Sequence, residues 1–291
     1  MNPSDFIHPE DAAALRQMEA IPGFPQLVKK ILAVGMEEMC YGINMASTIR
    51  LSEKQLPKLY RHLPPICRKL GIPEPEFYLQ MDPVPNACTS GDTRIWITVT
   101  SGLVEMMSDE ELDAVIAHEC GHILCRHVLY HTLAQLLSRG LSFDGLLDKL
   151  TLPAQYALLY WERKSELSAD RASAFVTSPQ IVAQVMARLS GGSQQLTKDI
   201  DLKEWAAQAD RYHEIRSKNL WNKTLQIMVT AGLSHPFAAV RVSEILKWGD
   251  TAQYRVLADR QDAINRKVCP NCKKDIDSAW KYCRHCGCCL I

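Results

Sequence analysis

Between residues 9 and about 71 the chain carries apolar residues at helical spacing, with few strand signals. Asp11 and Ala12 open an Ala-rich helix, Pro22, Gly23 and Pro25 interrupt it, and Leu27 to Met45 repeats apolar residues at intervals of three and four. From Phe77 the period changes. Phe77 to Leu79, Pro85 to Thr89 and Arg94 to Thr100 are short β-prone runs cut by Pro83, Pro85, Gly91 and Asp92, which predicts a small meander with at least one edge strand. Ser108, Asp109, Glu110 and Glu111 then form a capping box, with Met107 able to staple onto Leu112, so a long helix starts there. Its apolar positions Leu112, Val115, Ile116, Ile123 and Leu124 imply burial against the sheet. Further helices are predicted near 152–176, 180–190, 201–230 and 236–265. After Lys267 the composition turns to Cys, Lys and turn residues. The expected division is a helical region over 1–72, a catalytic domain over 73–266 and a small module over 267–291.

Composition narrows the classes. Of 291 residues, 47% are apolar and 23% charged, and 33 Lys and Arg balance 33 Asp and Glu, as in a folded protein with no long-range pull toward nucleic acid or an anionic bilayer. The first residues, with acidic side chains and a Pro, lack the basic start and apolar run of an export signal. No run of 18 apolar residues occurs, because Arg139, Asp144, Asp148 and Lys149 break the Leu-rich stretch from Leu129 to Tyr160. A soluble, cytoplasmic protein is expected, with that stretch read as core, although peripheral membrane contact through it stays open. Of 11 cysteines, six fall in the last 23 residues and the rest are scattered, which fits a reducing compartment and a metal site rather than disulfides.

The candidate chemistry lies in the capped helix. His118, Glu119, Cys120, Gly121 and His122 read H-E-x-x-H, and four residues of helix put the two imidazoles on nearly one face, roughly 6 Å apart along the axis, within reach of one zinc ion. Glu119 between them suits a base that takes a proton from water. Two ordinary buried histidines would produce the same pattern, but Glu166, 44 positions after His122, offers a third ligand from a second helix. Asp170, one turn further on, is placed to receive the far N–H of a ligand imidazole. The opposing reading of Glu166 and Asp170 is a solvated face beside Arg163, Lys164 and Arg171. His127 and His131 repeat the i, i+4 spacing, but without an accompanying third ligand and on a bearing expected to turn away from His122, so their role is taken as structural.

With these residues goes a wider set: Gly102-Leu103, Asp109 to Leu112, Ala169 and Ile123, and Ser234-His235-Pro236 followed by Arg241. Together they resemble the HtpX-like gluzincin metallopeptidases, the family that includes the CAAX prenyl proteases and Oma-type relatives, over residues from about 86 to 241. The resemblance implies an α+β zinc endopeptidase, mostly helical, with a small sheet whose edge strand binds peptide. It further implies that Asn86 and Ala87 hold the substrate backbone and that His235, with Arg241 near by, assists the oxyanion. The spanning helices of the membrane-embedded relatives have no counterpart between His122 and Glu166.

Cys269, Cys272, Cys283 and Cys286 form two C-x2-C pairs with ten residues between them, the spacing of a structural zinc ribbon. Five Lys and Arg against two Asp from residue 267, less two charges for a zinc tetrathiolate, leave about plus one, too little to favour nucleic acid. A protein-docking or self-docking module is the expectation. Cys288-Cys289-Leu290-Ile291 also has the shape of a prenylation signal, and Cys288 could equally serve as an alternative ribbon ligand. The combined reading is a zinc endopeptidase with one catalytic and one structural zinc, acting on peptides or proteins. Its rival is a non-catalytic zinc-ribbon adaptor, which would have no use for Glu119.

Overall fold

The computed structural model describes residues 1–33, 36–138, 151–217, 237–265, 267–276 and 281–289. They fall into two compact units, Met1–Trp248 and Gly249–Ile291.

The first unit is mostly helical. Helix α1 (Pro9–Glu19) is capped by His8, whose ring accepts from the Glu10 amide, and starts with a Pro where no N–H is needed. Helices α2 (Phe24–Ala33) and α3 (Met36–Ser47) follow; Pro25 does not interrupt but sits in the first turn of α2, for the same reason. A two-residue strand β1 (Ile49–Arg50), absent from the expected elements, leads to short α4 (Pro57–Tyr60) and α5 (Leu63–Leu70). Strands β2 (Glu76–Gln80), β3 (Ala87–Ser90) and β4 (Trp96–Thr100) complete a four-stranded sheet of order β1-β2-β4-β3.

That order corrects the expected meander: β2 pairs parallel with β4, and β3 pairs antiparallel on the far side of β4, at the edge. Pro83 and Pro85 cannot donate to a ladder with β2. The chain instead passes the end of β4, where the Gly102 amide donates to the Asp82 carbonyl at 2.9 Å and the Asn86 amide donates to Thr100 Oγ1 at 2.9 Å. The buried β4 thus ends up between the two strands.

Helix α6 (Ser101–Met106) leads into α7 (Asp109–Leu124), which opens on the capping box: Glu111 N donates to Ser108 Oγ and Ser108 N to Glu111 Oε2. Nearly every residue of α7 from Glu111 onward is buried, packed on β3 and on the long helix α9 (Leu152–Val176). The close approach of α7 to α9 needs Gly121, because a Cβ there would stand 2.9 Å from Ala172 Cβ and 3.0 Å from Ala169 Cα. Between them α8 (Val128–Ser138) reverses direction after Arg126, which takes a positive φ of 62°. Helices α1, α2, α8 and α9 share a core around Met18, Phe24, Val28, Leu133, Leu158 and Trp161.

Helices α10 (Pro179–Gly191), α11 (Gln194–Thr197), α12 (Leu202–Ser217) and α13 (Ala238–Gly249) complete the unit. The helix expected over 236–265 is divided at Asp250 and Thr251, whose hydroxyl caps α14 (Ala252–Asn265) by accepting from Tyr254 N. The second unit holds α14 and two hairpin-like turns, the first joining β5 (Lys267–Val268) to β6 (Asp275–Ile276), the second closed by a bridge between Tyr282 and Cys289. No helix among the described residues is long and apolar enough to cross a membrane.

Candidate active site and metal centre

Helix α7 carries His118, Glu119 and His122, and α9 carries Glu166 and Asp170; the tight contact at Gly121 brings the two helices together. Nε2 of His118 and Nε2 of His122 stand 3.2 Å apart, and the Glu166 oxygens lie 3.4 Å and 3.3 Å from them. Ligand atoms at 2.0–2.1 Å from a tetrahedral zinc stand roughly 3.3 Å from one another, so the three donors have the separations that one zinc ion requires. All three residues are buried. Among the described residues, with both histidines neutral as ligands must be, the formal charges of Glu119, Glu166, Asp170 and Arg241 sum to minus two, which a divalent cation matches.

Around the donors the polar groups are paired. Asp170 Oδ1 lies 3.0 Å from His118 Nδ1. Arg241, on α13 and fully buried, donates from Nε and Nη2 to the Asp170 carboxylate at 2.8 and 2.6 Å, and its Nη1 lies 2.9 Å from Glu166 Oε2. Burial alone would raise the Asp170 pKa, but Arg241 and His118 hold it below the usual carboxylate range. Burial would lower the His118 pKa, but Glu166 and Asp170 carry it up to about 10; at His122 burial dominates and lowers it. Arg241 stays charged because Asp170 and Glu166 outweigh its desolvation.

A cavity of about 360 Å³ opens between the edge strand and α10 and is lined by His118, Glu119, Asn86 and Ala87 together with apolar residues including Leu103, Val115, Val182 and Met186. Ala87, on β3, pairs with Val99 of β4, and Asn86 immediately precedes it, its backbone held by Thr100. His235, with Ser234 and Pro236, lies outside the described residues.

Three residues near the site were not expected from the sequence to take part in it. Thr89 on β3 donates from Oγ1 to Glu119 Oε2 at 2.6 Å. A threonine in a β-prone run is unremarkable until the sheet order puts β3 against α7. The other two are Asp11 and His127, joined at 3.1 Å between Oδ2 and Nε2. The expectation that His127 and His131 turn away from His122 is corrected: His127 Nδ1 lies 3.1 Å from His122 Nδ1, and the His131 ring centre is 4.2 Å from that of His122. That expectation assumed one continuous helix. The chain leaves α7 at Cys125, reverses at Arg126, and the His127 amide donates to the His122 carbonyl, folding α8 back beneath the site.

In the second unit Cys269 Sγ and Cys286 Sγ are 3.5 Å apart and Cys272 Sγ and Cys283 Sγ 3.7 Å, near the roughly 3.8 Å edge of a zinc tetrathiolate. Each C-x2-C is followed by a left-handed residue, Lys273 or Gly287, whose amide returns to the first cysteine's carbonyl. The Cys272 amide holds the Cys269 thiol down to about 6, and the Cys288 amide lowers Cys286. Cys288 lies beside this group of four, its thiol pushed up by burial and by Cys269 and Cys286.

The model of peptidase family M48 matches residues 53–249. The chain is 33% identical over 275 residues to a plastoglobule-localized metallopeptidase 48, chloroplastic, of Arabidopsis thaliana, covering 92% of this chain and 78% of that protein. It is 31% identical over 177 residues to a protease HtpX homolog of Nostoc sp., covering 50% of this chain and 61% of the relative. With the HtpX homolog of Pelotomaculum thermopropionicum the identity is 32% over 112 residues, 36% of this chain and 40% of that one. No solved structure matches. The two-helix donor set lies inside the matched span, and the chain belongs to peptidase family M48, as a metallopeptidase.

Proposed function

We propose that the protein is a zinc-dependent endopeptidase whose zinc ligands are His118, His122 and Glu166 and whose general base is Glu119. The observation that carries this is the convergence of three donors at 3.2–3.4 Å, one of which, His118, lines a cavity next to a sheet edge together with the Glu119 carboxylate. Zinc bound by these ligands would acidify water and polarise a carbonyl. Glu119 accepts the proton of the attacking water and returns it to the leaving amine, as a base within reach of both must. Asp170 receives the N–H of His118 at Nδ1, and Arg241, which also lines the cavity, fixes Asp170 and Glu166. Peptide adds along Asn86 and Ala87 by main-chain hydrogen bonds, and the apolar cavity wall favours a bulky apolar side chain. His235 is kept as the oxyanion donor on the family resemblance alone.

Four thiolates from Cys269, Cys272, Cys283 and Cys286 hold a second, structural zinc, and the ribbon serves as a protein-docking or self-docking module rather than a nucleic-acid reader. The cytoplasm stands as the proposed location on cysteine usage, with the plastoglobule location in the Arabidopsis relative's name as its competitor; fractionation of host cells decides between them. Hydrolysis of an unfolded protein should stop on chelation and return with added zinc. The full chain should bind two zinc ions and the Cys272→Ser, Cys283→Ser pair one. Hydrolysis indifferent to chelation overturns the reading, and a full chain holding one zinc removes one of the sites.

A further inference from the structure

The buried cluster of His122, His127 and His131 is explained by the hydrogen-bonding capacity of its nitrogens. His122 turns Nε2 toward His118 and Glu166, which leaves Nδ1 facing His127 Nδ1 at 3.1 Å. The other nitrogen of His127, Nε2, meets Asp11 Oδ2 at 3.1 Å. Asp11 is 1% exposed and accepts from two further groups, Trp161 Nε1 at 2.9 Å on Oδ1 and Ser168 Oγ at 2.5 Å on Oδ2. His131 is engaged through Nε2 with Ser165 Oγ at 2.7 Å, and that hydroxyl donates to the Glu162 carbonyl.

Once His122 Nε2 is taken as a metal donor, one placement of protons satisfies this chain. An ionised Asp11 can only accept, so His127 donates from Nε2 and holds a lone pair at Nδ1. That lone pair can be met only by a donor, so His122 carries its proton at Nδ1 and presents the Nε2 lone pair to the shared centre with His118 and Glu166. We infer that Asp11 and His127 are positioning residues that act in series to fix the tautomer and ring orientation of His122 for metal binding. The inference rests on the proposal that His122 is a zinc ligand.

The two ligand histidines are then held by unlike devices. His118 meets the carboxylate of Asp170 directly, whereas His122 reaches a carboxylate through one intervening imidazole. The positive φ of Arg126 makes room for that imidazole, and α1 supplies the carboxylate from more than a hundred residues upstream. The N-terminal helix is therefore part of the metal centre. A second metal among the three histidines is the competing explanation, but the chain already satisfies both nitrogens of His127.

The test uses the full chain. His127→Phe keeps a ring but removes both nitrogens, and zinc affinity at the catalytic site, read by competition with a chelator, should fall about 10–100-fold. His127→Gln keeps an acceptor toward His122 and a donor toward Asp11, and should stay within about threefold of the parent. Both should leave the ribbon zinc unchanged. Glu166→Gln serves as reference: if it retains full affinity, the underlying ligand assignment fails. If it loses zinc while His127→Phe does not, the relay alone fails. A third zinc in the parent, lost in His127→Phe, also overturns the relay. A measurement on the zinc-loaded parent needs no variant to fold: two-bond ¹H–¹⁵N correlation should show the proton at Nδ1 of His122 and at Nε2 of His127, and a proton at Nδ1 of His127 overturns the proposal.

Discussion

Glu119 is held on the cavity wall by Thr89, through a short buried hydrogen bond between a hydroxyl and a carboxylate. A hydrogen bond to a charged group contributes about 1.5–3 kcal/mol. Thr89→Val keeps the shape and the β-branched backbone preference but removes the donor, so kcat should fall about 10–100-fold with zinc retained, and Thr89→Ser should recover most of it. A loss below about twofold in the Val variant would mean that Thr89 is only a strand residue. A second residue-scale expectation concerns Glu162, a carboxyl buried on α9. Desolvation first, then the charge of Glu166, raises its pKa to about 8. A carboxyl that binds its proton more tightly folded than unfolded loses stabilising effect as pH rises from its unfolded value of about 4.3 through 8. Glu162→Gln should therefore raise the melting temperature more at pH 8.5 than at pH 5, and an equal shift at both would show that Glu162 does not carry the proton.

At the scale of elements, the junction of α7 and α9 sets the metal centre. Ala in place of Gly inside a helix ordinarily adds about 1 kcal/mol of stability. At Gly121 the added Cβ meets Ala169 backbone and the Ala172 methyl at 2.9–3.1 Å, neither of which is a flexible side-chain end. Overpacking of this kind costs about 1–3 kcal/mol, so Gly121→Ala should lower the melting temperature and weaken zinc binding together. A raised melting temperature would show that the helices part without cost. The capping box at Ser108 and the H-E-x-x-H residues made α7 and two of its ligands legible from the chain alone, because both are local patterns. The sheet order was not legible, since whether β3 joins β2 or β4 depends on what Asp82 and Asn86 bond across space. Nor was the place of His127, which turns on one backbone angle at Arg126, or that of Asp11, whose partners His127, Trp161 and Ser168 lie far along the sequence.

In the molecule as a whole, the proposed zinc sites use unlike chemistry: imidazole and carboxylate in the first unit, thiolate in the second. Membership of family M48 was legible because residues from 86 to 241 carry the motif set in order, while substrate identity leaves no comparable pattern. The central claim is that Glu119 moves the proton while His118, His122 and Glu166 hold the metal. The direct measurement is zinc content and peptide hydrolysis on one preparation of Glu119→Gln, whose amide cannot accept the proton of water. Two zinc ions per chain and hydrolysis lowered by at least a thousandfold are expected. Hydrolysis near the parent rate with zinc in place would contradict the claim.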